Sequence, residues 1–220
     1  VSAPPIELGN QVWFDTNNNG TKDAGEQPVS GVTVELFVDA DDNGTPDSST
    51  PAQTTTTDGS GYYLFAGLTD GQHYVVGIPP VNFAAAGALD GYWSSNTTIG
   101  ANGTVSETGA PDPDNDTDND DNGTLQTAGG FAGYVLSAPV TVTLGGEPTG
   151  ENPSNATAPD ANSNLTVDFG FYTTSVGNLV WNDNGIGGGN DDNGLVDGSE
   201  AGVSGVSVVL LSSDGSTQIL

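Results

Sequence analysis

Apolar residues recur at every second position in short runs separated by Gly, Pro, Asn and Asp, which is the period of half-buried strands. Leu8–Phe14 is the first run, and Val32, Val34 and Leu36 then alternate with Thr33 and Glu35. Thr54–Thr57 leads into the turn Asp58-Gly59-Ser60-Gly61, and Tyr62–Phe65 reads as the returning arm of a hairpin. His73–Ile78 follows, closed by Pro79-Pro80, with a weaker strand near Tyr92–Ser94. Phe131–Leu136, Val140–Leu144 and Leu165–Tyr172 complete the set, and in the last of these Leu165, Val167, Phe169 and Phe171 share one face. Ala84–Leu89 is the only stretch suited to a helical turn. Two polar insertions, roughly 96–130 and 145–164, interrupt the pattern. Unstructured loops of that length are uncommon in compact domains unless something orders them. The class predicted is all-β.

The pattern restarts near the C-terminal end. Leu8-Gly9-Asn10-Gln11-Val12-Trp13-Phe14-Asp15 returns as Val176-Gly177-Asn178-Leu179-Val180-Trp181-Asn182-Asp183, and Val29-Ser30-Gly31-Val32-Thr33-Val34-Glu35-Leu36 returns as Val203-Ser204-Gly205-Val206-Ser207-Val208-Val209-Leu210. Leu8 and Val176 are 168 positions apart and Val29 and Val203 are 174 apart, so the second copy carries six extra residues, within 184–190. Residues 1–174 are expected to form one domain and 175–220 the first strands of a second. Two or three strands with Val206, Val208 and Leu210 on one face cannot bury a core of their own. The missing strands are expected from continuation of the chain in a tandem array or from a neighbouring copy. Trp13 recurring as Trp181 points to packing.

Composition narrows the function. The chain has 29 acidic residues, 22 of them Asp, against one base, Lys22, for a net charge of −28. Such a chain cannot neutralise phosphates or an anionic membrane surface, and it holds no 18-residue apolar run to span a bilayer. With no Cys, any cross-link must come from something other than a disulfide, and bound cations are the remedy for the self-repulsion of so much negative charge. Enzyme signatures are absent: His73 is the only His and lies in a strand pattern, and no Gly-x-Ser-x-Gly elbow occurs. Asn96, Asn102, Asn155 and Asn164 are candidate glycan acceptors outside the acidic loops.

The acids are spaced as calcium loops. Asp15, Asn17, Asn19, Thr21, Asp23 and Glu26 occupy positions 1, 3, 5, 7, 9 and 12 of the twelve-residue EF-hand pattern, with Gly20 at the sharp turn and Thr21 offering its carbonyl. The bland alternative is a polar, Asn-rich hairpin loop. Asp39, Asp41, Asn43, Thr45 and Asp47 repeat the first nine positions, but Thr50 stands at position 12, so the site would have to be completed from elsewhere. A third tract carries Asp114 and Asp116 and then places Asp118, Asp120 and Asn122 at positions 1, 3 and 5; the alternative is a solvated acidic run. A fourth set is Asp183 and, beyond the six-residue insertion, Asp191, Asn193, Leu195, Asp197 and Glu200. Three to four Ca2+ ions are expected.

The run Gly9-Asn10-x-Val12-Trp13-x-Asp15, the loop to Glu26, Val29-x-Gly31-Val32-x-Val34, and Thr56-x-Asp58-x-x-Gly61-x-Tyr63-x-Phe65-x-Gly67-Leu68 resemble the B domain of serine-aspartate-repeat surface adhesins, and through it the B-type domains of collagen adhesins. The close match covers about 6–78 and 176–210. The resemblance implies a prealbumin-like, immunoglobulin-related β-sandwich that is not an enzyme. It implies an extracellular, cell-surface spacer in tandem with similar domains, stiffened by calcium at Asp15, Asn17, Asn19, Asp23 and Glu26 and again at Asp183, Asp191, Asn193, Asp197 and Glu200. Contact with a host or matrix ligand would belong to a head domain elsewhere. Many B-type relatives cross-link a Lys to an Asn in the core; Lys22 lies in the first loop, so no such bond is expected here. Two other roles remain open: a self-assembling filament subunit completed by a neighbour's strand, and a carbohydrate-binding module using Tyr92 and Trp93.

Overall fold

The computed structural model describes residues 4–100, 104–111, 113, 119–151, 155–174 and 176–211. The chain divides into two units, Val1–Thr174 and Ser175–Leu220.

The first unit is all-β. Its strands are β1 (Glu7–Leu8), β2 (Val12–Phe14), β3 (Thr33–Val38), β4 (Gln53–Thr56), β5 (Phe65–Ala66), β6 (Gln72–Ile78), β7 (Trp93–Ser94), β8 (Thr97–Ile99), β9 (Val105–Glu107), β10 (Thr124–Leu125), β11 (Val135–Leu136), β12 (Val140–Val142), β13 (Ser163–Asn164) and β14 (Phe169–Tyr172). One layer is a six-stranded sheet in the order β10-β11-β6-β3-β4, with β12 also on β6. The other is assembled from β13-β1-β5 and β2-β14-β7. The apolar faces meet in one core: Leu8 and Val12 from the first run, Val34 and Leu36 from β3, Val76 and Ile78 from β6, and Val167, Phe169 and Phe171 near the end are all buried. This is the sandwich that the alternation anticipates, since each strand offers one apolar face and two such faces close against each other.

The first run breaks between β1 and β2. Gly9 packs so tightly against the chain at Tyr63 that an added Cβ would lie 2.6 Å from its carbonyl oxygen. The Asp58–Gly61 turn closes as expected, with the Asp58 N–H on the Tyr62 carbonyl at 2.9 Å. Its arms are not a hairpin, however. β4 pairs with β3, while the chain after Gly61 crosses to the other layer, where Tyr62 bridges Gln11 and β5 pairs with β1. Alternation alone does not say which neighbour a strand will choose. The first insertion is also more ordered than its polarity suggests: β8 and β9 pair with each other and β10 joins the large sheet. The chain that follows it sets Phe131 and Tyr134 edge-on against Phe37, on the outer face of β3, at centroid distances of 5.2 and 6.1 Å. Helical structure near the expected turn is a short 3-10 segment at Pro80–Phe83, just before Ala84.

In the second unit none of the described residues is buried. Trp181 bridges Gly202 and Asn184 bridges Asp191. Val206–Leu210 form no strand, which corrects the expectation of one there: β3, their counterpart, is held between β4 and β6, and no described residue of the second unit plays either part.

Candidate metal centres

The first loop is held by its own side chains. Asp15 is buried and accepts N–H bonds from Gly20 (2.8 Å) and Asn19 (3.3 Å). Asn19 accepts from Thr21 N–H at 2.9 Å, and the Asn17 and Asn19 amides both reach the Asp23 carboxylate. Glu26 closes the ring, with one oxygen on Thr16 N–H (2.6 Å) and the other on Asp23 N–H (3.0 Å). Asn18 at φ 55° and Gly20 at φ 72° make the tight coil; both conformations suit Asn and Gly and few other residues.

The loop at Asp183 has the same frame. Asp183 accepts from Gly194 N–H (2.7 Å) and Asn193 N–H (3.3 Å), Asn193 accepts from Leu195 N–H (2.7 Å), and its amide reaches Asp197 at 3.0 Å. Glu200 spans Asn184 N–H and Asp197 N–H as Glu26 does, at 3.0 and 3.2 Å. Asp192 (φ 57°) and Gly194 (φ 73°) reproduce the coil. The six extra residues bulge out between Asn184 and Asp191, so Asp183 keeps position 1.

The loop at Asp39 shares the opening half. Asp39 accepts from Gly44 N–H (2.8 Å) and Asn43 N–H (3.3 Å), and Asn43 from Thr45 N–H (2.8 Å). Its ring closes at position 9. Asp47 accepts Ala40 N–H at 2.9 Å, the bond that Glu26 makes to Thr16 in the first loop. The closing backbone bond that position 12 makes in the first loop is thus made here from position 9, without exposed Thr50. Oxygens of Asp39, Asp41 and Asp47 all lie within 4.8 Å of one another. Burial, with Asp41 adding its charge, pushes the Asp39 carboxyl above its ordinary range against the pull of the Gly44 and Asn43 N–H groups. The Asp39 loop thus brings three carboxylates face to face with no Lys or Arg in it, an all-oxygen donor set that fits a hard cation.

Of the third tract, Asp114, Asp116 and Asp118 lie outside the described residues. Asp120 bridges Thr21, Asp121 N–H donates to Gly20 O at 2.9 Å, and Lys22 N–H donates to Asn119 O at 2.9 Å, so 119–121 is a strap along the first loop. Asn122, expected as a loop ligand, is buried, and its amide oxygen accepts Asp168 N–H at 2.8 Å. From the other side, Asn96 N–H donates to Asn18 Oδ1 at 2.7 Å, and an added Cβ on Gly20 would strike the Asn96 amide.

Sequence reasoning missed several buried carboxylates. Asp168 accepts Gln11 N–H (2.7 Å) and Asn119 N–H (3.2 Å), tying β2 to the strap. Glu7 collects Thr157 N–H, Thr157 O–H and Ala158 N–H at 2.7–3.0 Å, anchoring the second insertion. Burial acts to raise the Glu7 pKa, but these bonds outweigh it and hold it below its ordinary value. Asp121 is buried beside Glu107. Burial, then the charges of Glu107 and Asp15, drive Asp121 well above the carboxylate range, against N–H bonds from Gly170 and Gly123; Glu107 is raised too, chiefly by burial. Alternation gives no warning of such acids, since they occupy no motif. Asn164 is corrected as a glycan acceptor: it is buried and accepts Thr166 N–H, beyond reach of a modifying enzyme.

The profile of the SdrD B-like domain matches residues 6–128. The chain belongs to the SdrD B-like family. It is 31% identical over 218 residues to serine-aspartate repeat-containing protein D of Staphylococcus aureus strain Newman, covering 98% of this chain and 12% of that protein. It is 32% identical over 217 residues to serine-aspartate repeat-containing protein F of Staphylococcus epidermidis, covering 97% of this chain and 9% of that protein. The chain thus spans roughly a tenth of these relatives. As an SdrD B-like domain it is a structural module and not an enzyme. Among the described residues no helix is long and apolar enough to cross a membrane.

Proposed function

We propose that this chain is a calcium-stiffened spacer of a bacterial cell-surface protein, one link in a tandem array that carries a binding head outward. The repeated frame of the three acidic loops supports this reading most. Each loop gathers carboxylates and amide oxygens on a coil whose like charges need a counter-ion, and the chain's single Lys cannot serve three loops. Extracellular calcium loops bind with dissociation constants of about 0.1–1 mM, so calcium outside a cell stabilises the fold by mass action. The spacing of 168–174 residues between repeated segments fits tandem domains.

A filament subunit completed by a neighbour's strand is the second reading, favoured by the exposed row Val206, Val208 and Leu210. The carbohydrate reading has less behind it. The groove beside Tyr92 and Trp93, about 380 Å³, is lined by Pro80, Phe83, Leu125 and Val135, with no charged or amide side chain and Ser94 its one aliphatic hydroxyl, whereas a sugar needs several polar groups around its aromatic platform.

Thermal melting and limited proteolysis in millimolar calcium and in chelator test the proposal. Chelation is expected to lower the melting temperature and to open 96–130 to cleavage before the core strands. Identical melting and cleavage in both buffers would overturn it.

A further inference from the structure

We propose that Asp121 and Glu107, with the hydroxyls of Ser94, Ser95 and Thr97, form a separate buried cation site beneath the first acidic loop. Asp121 Oδ2, Glu107 Oε1, Ser94 Oγ, Ser95 Oγ and Thr97 Oγ1 are all shielded from solvent and close no hydrogen bond of good geometry. Asp121, Ser94, Ser95 and Thr97 are 1, 2, 0 and 1% exposed. Buried polar atoms normally find partners; the Ser94 and Thr97 hydroxyls have only a loose approach to Glu107, and Asp121 Oδ2 and Ser95 Oγ have none, so a common partner is called for.

The backbone brings them together. Thr97 and Glu107 are cross-strand partners in β8 and β9. The Ser94 and Thr97 hydroxyls lie against the Glu107 carboxylate, and Glu107 in turn is close enough for its charge to act on Asp121. Gly170 joins the remaining pair: its N–H donates to Asp121 Oδ1 at 3.1 Å and its carbonyl accepts Ser95 N–H at 3.0 Å. An added Cβ on Gly170 would lie 2.5 Å from Ser95 Oγ, so glycine leaves that space to the hydroxyl. Asp121 spends only Oδ1 on backbone donors, Gly170 and Gly123, and Glu107 spends only Oε2, on Leu125 N–H.

Among the described residues no cation pairs with either carboxylate. Lys22 is the only base and His73 is placed with Thr141 and Asp42. The five donors are all oxygen and two are carboxylates, the set of a hard divalent ion that takes six to eight oxygens, with water completing the shell. This argument does not depend on the loops binding calcium.

Native mass spectrometry and calorimetry of the full chain, with Ca2+ as the probe, test it. Asp121→Asn and Glu107→Gln are each expected to lower the ion count by one. Asp47→Asn, in the second loop, removes a different ion, so Glu107→Gln with Asp47→Asn loses two. Glu107 is only half-buried, so Glu107→Gln gives the reading if Asp121→Asn fails to fold. A count that drops at Asp47→Asn but not at Glu107→Gln or Asp121→Asn overturns this site and leaves the loops standing; the pair then shares a proton. No bound ion in the native chain overturns both.

Discussion

The loops that begin at Asp15 and Asp183 repeat one frame nearly bond for bond, yet they stand on different ground. In the first, Asp15 is buried, Asn96 and the strap at 119–121 grip the coil, and Trp13 beside it is wholly enclosed. In the second, every position from Asp191 to Glu200 is exposed or half-exposed, and so is Trp181. The coil is therefore written locally, by Asn or Asp and Gly at the left-handed positions and by carboxylates that cap their own N–H groups. Its load on the rest of the protein is written elsewhere, by residues more than 70 positions away. The same motif is a keystone in one place and an appendage in the other.

The sharpest way to break this comparison is to remove the first acid of each loop. Asp15→Ala strips two N–H groups of a charged acceptor in a buried setting and should cost about 3 kcal/mol of unfolding free energy in calcium-free buffer, read by denaturant melts. Asp183→Ala should leave the main transition unmoved. Equal losses would mean that the two loops carry the same load.

A smaller effect separates the brace from the coil. Asn18→Gly keeps the left-handed conformation but deletes the side chain that accepts Asn96 N–H and donates to Thr97 O. A loss of about 1–2 kcal/mol is expected. Asp192→Gly, its counterpart, should change the melt by less than about 0.5 kcal/mol. A large effect at Asp192 would reveal support for the second loop that its exposure does not suggest.

The smallest effect sharpens the likeness. Deleting Gly185–Asn190 joins Asn184 to Asp191, which already bridge each other, and restores a twelve-residue loop. Because loop-closure entropy grows slowly with length, calcium affinity at that loop, measured by calorimetry, should shift by less than about threefold. A collapse in affinity would show that the bulge itself supplies ligands.

Much of this could be read from residues alone. Alternation located the core faces of β3 and β14, and the spacing of Asp, Asn and Gly placed three coils with a glycine at the sharp turn of each. Pairing was not legible: nothing in Tyr62–Phe65 announces that it leaves β4 for β1, because that choice depends on Gly9 admitting Tyr63 at close range. Asp121, Glu107, Asp168 and Glu7 were illegible for a different reason. Their partners are backbone groups, hydroxyls or another acid distant in sequence, and an acid without a spacing rule resembles every other acid in a chain with 29 of them.

One pairing has a mechanical consequence. β2, near the start of the first unit, runs parallel to β14, at its end, with Val12, Trp13 and Phe14 beside Phe169, Gly170 and Phe171. β1 and β13 are parallel in the same way. Tension applied at the two ends of the unit pulls such neighbours lengthwise past each other, so their cross-strand bonds are strained together and must rupture at once. Antiparallel terminal strands would instead peel open one bond at a time under far less force. The topology sets this resistance along the axis between the ends, the direction in which a tethered chain would be drawn by flow.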